Sequence, residues 1–254
     1  MYKVEDYPQI KNNFYLDGRN TGACKKLKGN IATLTVFMHN RNSKWTEEDK
    51  NKYFNSLNTA TKWLVRQAKR YKVNLSFKNY SFDVTVNDDI NTHNDFNLIK
   101  DFLRVETMQQ AHDYYTKSLN CDECPFILVY NMQGRSFGRR HNDNFEGIIN
   151  ECSTVFNEKN KEFDWRVITH ELLHQYGAVD YYFPKKVEET ANKYLGISIM
   201  DRNLSQNVDD FTAYIIGWKE TISGNTYWFL KETMWLTYDK YNEELNNEWK
   251  KKYN

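Results

Sequence analysis

Residues 170 to 180 read His-Glu-Leu-Leu-His-Gln-Tyr-Gly-Ala-Val-Asp, and no other stretch restricts the fold of this chain so tightly. Asp164 is placed to cap a helix that starts at Trp165, and Trp165, Ile168, Leu172 and Tyr176 then form one apolar stripe able to anchor it to a core. Val167, His170 and His174 fall on the opposite side. Side chains four apart on a helix point the same way one turn apart, so both imidazoles can reach a single Zn²⁺ at about 2.0–2.1 Å. Glu171, next to the first of them, is placed to take a proton from water held there, the role of a general base. A catalytic zinc keeps three protein ligands and one open position, so a third ligand has to come from downstream. Were the helix to run on, residue 180 would lie about 9 Å along the axis from His174 and well round the cylinder. The helix must therefore stop. Gly177 can stop it, because glycine takes the left-handed conformation at a helix C′ position without a Cβ clash. The chain can then fold back and offer Asp180.

At 254 residues the chain can bury one large core around such a helix. Residues 31–39 are a β-branched apolar run and read as a buried strand, with 1–30 an irregular lead-in before it. Tyr53, Leu57, Ala60, Leu64, Ala68 and Tyr71 step by four and three, which predicts a helix over 46–71. Residues 73–86 should hold one strand, or two joined at Asn79. Leu98, Phe102, Val105, Met108, His112, Tyr115 and Leu119 predict a second long helix with His112 at the edge of its apolar face. Residues 126–132 read as a strand, 134–144 as a polar loop and 148–156 as a further strand. Helices are expected over 208–219 and 226–253, the latter with Trp228, Trp235, Tyr238, Leu245 and Trp249 turned inward as packing. This order of elements implies an α/β (α+β) layer whose mostly parallel sheet carries helices.

The spacing His-Glu-x-x-His-x-x-Gly-x-x-Asp, from His170 to Asp180, resembles the extended motif of the metzincin clan of zinc peptidases. Histidine is the usual third ligand there; aspartate in that place is similar to the variant of snapalysin-type enzymes. Ser198-Ile199-Met200-Asp201 is similar to the clan's methionine turn, which makes Met200 a hydrophobic floor beneath the metal. The resemblance implies a zinc metalloendopeptidase that hydrolyses peptide bonds with a metal-activated water and Glu171 as general base. It implies a metzincin-like twisted, mostly parallel mixed sheet with helices, an active-site helix and a smaller, mainly helical C-terminal lobe. The organisation expected is one catalytic domain over 1–254, with the lead-in 1–30, an upper lobe 31–180 ending in the zinc motif, and a lower lobe 181–254. The strand at 148–156 would run along the cleft, its exposed edge aligning an extended peptide by main-chain hydrogen bonds. One position departs from the pattern. Several members carry a tyrosine two residues after the methionine that assists the developing oxyanion; here stands Arg202, so either this cation takes that role or the zinc does the work alone.

Two other readings stay open in the sequence. A catalytically silent, zinc-stabilised binding module needs the ligands but has no use for Glu171. A peptidase can also draw its third ligand from Glu188 or Glu189, on a helix that residues 184–195 can form, although Gly177 then loses its purpose. Lys+Arg total 35 against Asp+Glu 34, so no overall field draws the chain to nucleic acid or an anionic membrane. The expected partner is a peptide or protein substrate, and the expected state a monomer. No run approaches the roughly 20 apolar residues of a membrane span, and the first residues lack an apolar signal core. The default is cytoplasmic, or secreted if a leader has been removed. Cys121 and Cys124 form a C-x-x-C with no second pair, and with Cys24 and Cys152 read as ordinary thiols or one structural disulfide. Cys24 or Asp17 in the lead-in can in principle cap the zinc in a latent form. Arg135, Arg139, Arg140 and His141 cluster before the expected cleft strand, as a solvated loop or as a preference for acidic or phosphorylated substrates. His39, His93 and His112 have no partner at ligand spacing and read as structural.

Overall fold

The structure, a computed structural model, describes residues 1–87, 96–140, 144–145, 148–149, 151–157 and 162–253, with 144–145, 148–149 and 248–253 as backbone only. Strand β1 (Gly29–His39) pairs in parallel with β2 (Leu75–Thr85) on one side and β3 (Phe126–Gln133) on the other. Between β1 and β2 runs α1 (Glu47–Arg70), started by a capping box in which Thr46 and Asp49 satisfy each other's backbone N–H. Its stripe of Tyr53, Leu57, Ala60, Leu64 and Ala68 is buried as the periodicity requires. Residues 73–86 form one strand, with Asn79 in its middle paired to Thr33.

The second long helix of the sequence reading is two helices, α2 (Asn97–Leu103) and α3 (Met108–Leu119). Arg104 adopts the left-handed conformation at φ 57° and ends the first, and Thr107 accepts from the Gln110 N–H to start the second. Both lie on the sheet face that carries Ala32, Leu34, Val36 and Met38, opposite the face of Ile31 and Phe37 that packs on α1. Covered on both faces, the inner strands read as unbroken apolar runs rather than alternating ones.

After β3 the chain turns into β4 (Phe137–Gly138), then a hairpin of β5 (Asn144–Phe145) and β6 (Ile148–Ile149), then β7 (Ser153–Asn157). The sheet order is β2-β1-β3-β7-β4, with β4 antiparallel to β7. This corrects the expectation for 148–156. Its described strand residues belong to two strands, β6 and β7, and β7 is flanked at Ser153 and Thr154 by β4, so the outer edge there belongs to β4, inside the segment read as a loop. Residues 88–95, with His93, and 141–143, with His141, lie outside the described residues.

Next comes α4 (Trp165–His174), followed by α5 (Lys185–Tyr194), α6 (Asp210–Ile215), α7 (Gly224–Glu232) and α8 (Tyr238–Tyr253). The single helix expected over 226–253 is interrupted between Glu232 and Tyr238, where the Thr237 hydroxyl accepts from Lys240 N–H and opens α8. The break also disperses the aromatic stripe: Trp228 and Tyr238 are exposed. Residues 1–30 do more than lead in. Ile10, Phe14, Tyr15 and Leu27 are buried in the core, and Tyr15 packs on Phe229 and Phe211. Two buried carboxylates clamp the following stretch, Glu151 taking the N–H groups of Ala23 and Cys24 and Glu123 those of Lys25 and Lys26. Among the described residues, no helix is long and apolar enough to cross a membrane.

Candidate metal centre

The α4 helix is fixed from three directions before any of its functional groups is considered. Asp164 caps it through the Arg166 N–H at 2.8 Å. Ile168, Leu172 and Tyr176 are fully buried against the sheet and α1. At its far end the Gln175 amide spans β3 and β7, donating to Phe126 O at 2.9 Å and Ser153 Oγ at 2.8 Å while its oxygen accepts from Phe126 N–H. The edge strand lies directly over the helix. A Cβ on Gly138 would overlap Glu171 O and come within 2.8 Å of His174 Cβ, so only glycine lets β4 approach this closely.

Gly177 ends the helix with φ +89°, its N–H bonded to His174 O at 2.9 Å and the next N–H, of Ala178, to Leu173 O. A Cβ there would strike the Gly18 carbonyl, so the lead-in also braces the turn. The chain reverses and brings Asp180 back to the histidines. Asp180 Oδ1 lies 2.9 Å from His170 Nε2 and 3.3 Å from His174 Nε2, and the two Nε2 atoms are 3.2 Å apart.

Protonation follows from the outer partners. His170 Nδ1 faces Ile199 O at 2.9 Å and His174 Nδ1 faces Ala178 O at 2.8 Å. A carbonyl oxygen only accepts, so each Nδ1 carries the hydrogen and each neutral ring presents its lone pair at Nε2. Two lone pairs and a carboxylate oxygen thus face one point. Although the Asp180 side chain as a whole is 23 % exposed, Oδ1 is buried without a hydrogen-bond partner. A cation fits this donor set. Tetrahedral bonds of about 2.0–2.1 Å separate neighbouring ligand atoms by roughly 3.3–3.4 Å, close to two of the three distances found, with the 2.9 Å pair needing to open slightly. Burial pushes the His170 imidazolium down, yet Asp180 beside it prevails and raises it to about 9. His174 is raised as well, burial again being overcome by Asp180. Burial acts on Asp180 too, but the two imidazoles hold its carboxyl well below the usual carboxylate range. The whole site favours positive charge.

Glu171 is buried, with Oε2 at 3.8 Å from His174 Nε2, and burial raises its carboxyl above the usual range against the pull of both imidazoles. It lines a cavity of about 360 Å³ together with His170, Val167, Tyr182 and Arg202. Beneath the histidines, the turn at Ser198–Asp201 supplies the Ile199 carbonyl that orients His170. Met200 is fully buried there, and its carbonyl accepts from Tyr181 N–H at 3.0 Å. Asp209 anchors the turn by accepting from the Ser198 hydroxyl at 2.5 Å.

The structure therefore brings His170, Glu171, His174, Asp180 and the Met200 turn together. It does not bring Glu188 or Glu189: Glu188 faces Arg202 at 3.8 Å and Glu189 faces Lys185 at 3.9 Å. Arg202 borders the cavity, its side chain 62 % exposed. Sequence reasoning passed over Tyr182. Its ring stacks on His170 with centroids 6.3 Å apart, and burial first, then the Asp180 charge, raise its phenol and keep it protonated. The available signal was its place two residues after Asp180, in a segment obliged to return to the histidines.

Cys24 takes no part here. It belongs to a second group, with His112 and Glu123, whose Glu123 oxygens are already engaged by His112 Nε2 at 2.9 Å and by the two backbone N–H groups. No disulfide joins the four cysteines, and Cys24, Cys124 and Cys152 are buried.

No family model matches the chain, and no curated protein matches it. Among solved structures it is similar to metalloproteinase-II from Bacteroides fragilis, at 12 % identity and a TM-score of 0.40, over 89 % of this chain and 60 % of that one. The chain thus spans less than two thirds of that protein's length.

Proposed function

We propose that this chain is a zinc-dependent endopeptidase of the metzincin type in which His170, His174 and Asp180 hold the metal and Glu171 is the general base. The observation that carries the reading is the buried convergence of two imidazole lone pairs and one unpartnered carboxylate oxygen on a single point, with a second carboxylate beside it facing a cavity. Zinc bound there supplies a Lewis acid that eases ionisation of water and polarises a carbonyl.

The protein's own groups account for the rest. The outer edge of β4 can receive an extended peptide by main-chain hydrogen bonds, next to Glu171 and His174 because Gly138 sits on their backbone. Glu171 accepts the proton of the attacking water and returns it to the departing amine, a task helped by a carboxyl raised toward neutrality. Tyr182, its ring stacked on His170 and its protonated phenol turned to Asp180, is the hydroxyl nearest the histidines that can swing to the oxygen that gains charge, with Arg202 backing its ring at 5.4 Å. In this reading Tyr182 supplies what a tyrosine at position 202 would have supplied.

The test pairs the zinc-loaded protein with its Glu171→Ala variant on a diverse peptide library read by mass spectrometry. Zinc-dependent cuts by the first and none by the second are expected. A wild-type protein that binds zinc and cuts nothing, with Glu171→Ala keeping every biological effect, would favour the silent binding module instead.

A further inference from the structure

The cavity beside Glu171 carries charged groups besides the general base. Besides Glu171 it is bordered by Asp164, Asp201, Arg135 and Arg202. Its two other carboxylates are already occupied. Asp164 accepts from Arg166 N–H at 2.8 Å and from the Arg166 guanidinium at 2.5 and 3.0 Å. Asp201 accepts from Ser198 N–H at 3.1 Å, Asn203 N–H at 2.9 Å and the Ser205 hydroxyl at 2.9 Å.

The two cations are engaged to different degrees. Arg135 is exposed and makes no hydrogen bond or ion pair among the described residues; its influence is felt through space, where it lowers Glu171 and Tyr182 as a minor contribution beside their burial. Arg202 is 62 % exposed, donates to Tyr182 O at 3.3 Å, lies over the Tyr182 ring at 5.4 Å and stands 3.8 Å from Glu188. The remaining members of the basic cluster go elsewhere: Arg139 lies over the Phe137 ring, Arg140 is buried over Phe14, and His141 is outside the described residues. Arg135 and Arg202 border the same cavity, and a guanidinium binds a carboxylate through two parallel hydrogen bonds.

We infer that Arg135 and Arg202 form an anion subsite flanking the scissile bond, so that the enzyme selects peptides with a negatively charged side chain there. The inference rests on the peptidase reading and narrows its substrate class. Aspartate, glutamate and phosphoserine share the required chemistry.

The test uses peptides that differ only beside the cleaved bond, carrying Glu, Gln, Lys or phosphoserine, on the zinc-loaded wild type, Arg135→Ala, Arg202→Ala, and the double charge reversal R135E/R202E. A charge-assisted pair gives the Glu peptide a kcat/KM advantage over Gln of about tenfold or more. The advantage should shrink with salt, fall in each alanine variant, and turn into a preference for Lys in the double reversal. Phosphoserine above Glu would assign phosphorylated substrates, and Glu above phosphoserine ordinary acidic ones. Equal cleavage of Glu and Gln by the wild type overturns the subsite and leaves the peptidase intact. If nothing is cleaved, the peptidase reading fails. Anisotropy of the same labelled peptides on zinc-loaded Glu171→Gln protein then decides the subsite: tighter Glu than Gln binding that Arg135→Ala abolishes supports it, and equal binding overturns it.

Discussion

Exchanging Asp180 for asparagine removes one negative charge from the point where His170 and His174 meet and leaves the shape of the side chain nearly unchanged. The Asp180 charge overcomes burial to raise the His170 imidazolium, so its loss makes the point less favourable to a cation. A structural zinc site binds with about 10–16 kcal/mol spread over four ligands, so one ligand accounts for about 2.5–4 kcal/mol. Asp180→Asn should therefore weaken zinc binding by about 10²–10³-fold, while far-UV circular dichroism stays unchanged because no core contact is lost. Competition against a chromophoric chelator at neutral pH measures this directly, with Glu188→Gln and Glu189→Gln as comparisons expected to stay within a few-fold of wild type. Zinc affinity unaffected in Asp180→Asn, or lost instead in Glu188→Gln, would refute the assignment.

Other perturbations reach different parts of the account. Gly177→Ala must place a Cβ at φ +89° and against the Gly18 carbonyl, a strain of roughly 1–2 kcal/mol from the backbone alone; calorimetry should show Tm several degrees lower together with weaker zinc binding, and an unchanged pair of values would mean the turn is not needed. Tyr182→Phe should lower kcat by about 10–100-fold with KM and zinc content nearly unchanged, whereas a raised KM alone would make Tyr182 a binding residue. Glu151, whose carboxyl burial raises to about 8, binds its proton more tightly folded than unfolded. Its contribution is complete below about pH 4.5 and disappears as pH rises through about 8, on the order of a few kcal/mol. Chemical denaturation from pH 5 to 9 should show that loss in the wild type and a smaller one in Glu151→Gln; parallel curves would exclude it.

Much of this architecture can be read from short-range pattern, because α1 and α4 each satisfy one period and one cap at once and β1 and β3 are short, mainly apolar runs. The same rules fail where two local signals compete. Periodicity carries a helix across Val105, but Arg104 turning left-handed and the Thr107-x-x-Gln110 cap break it. Thr237 does likewise before α8. The cleft edge is a different kind of failure. Strand order depends on contacts far apart in sequence, and β4 is two residues long, so Phe137–Gly138 carries no periodic signal, and only the overlap of a Gly138 Cβ with α4 reveals its place. In the site, the convergence of His170, His174 and Asp180 was legible because helix geometry and one glycine leave the chain few routes. Tyr182 and the lead-in were not: an aromatic residue reads as core by default, and Ile10, Phe14 and Tyr15 pack at irregular spacing.

The most direct test of the metal assignment is X-ray absorption at the zinc edge on protein loaded with one equivalent of Zn²⁺. Four nitrogen or oxygen neighbours near 2.0–2.1 Å, with outer scattering from two imidazoles, are expected from His170, His174, Asp180 and one water. A sulfur neighbour at about 2.3 Å would put the ion at Cys24, His112 and Glu123 instead, and contradict the account.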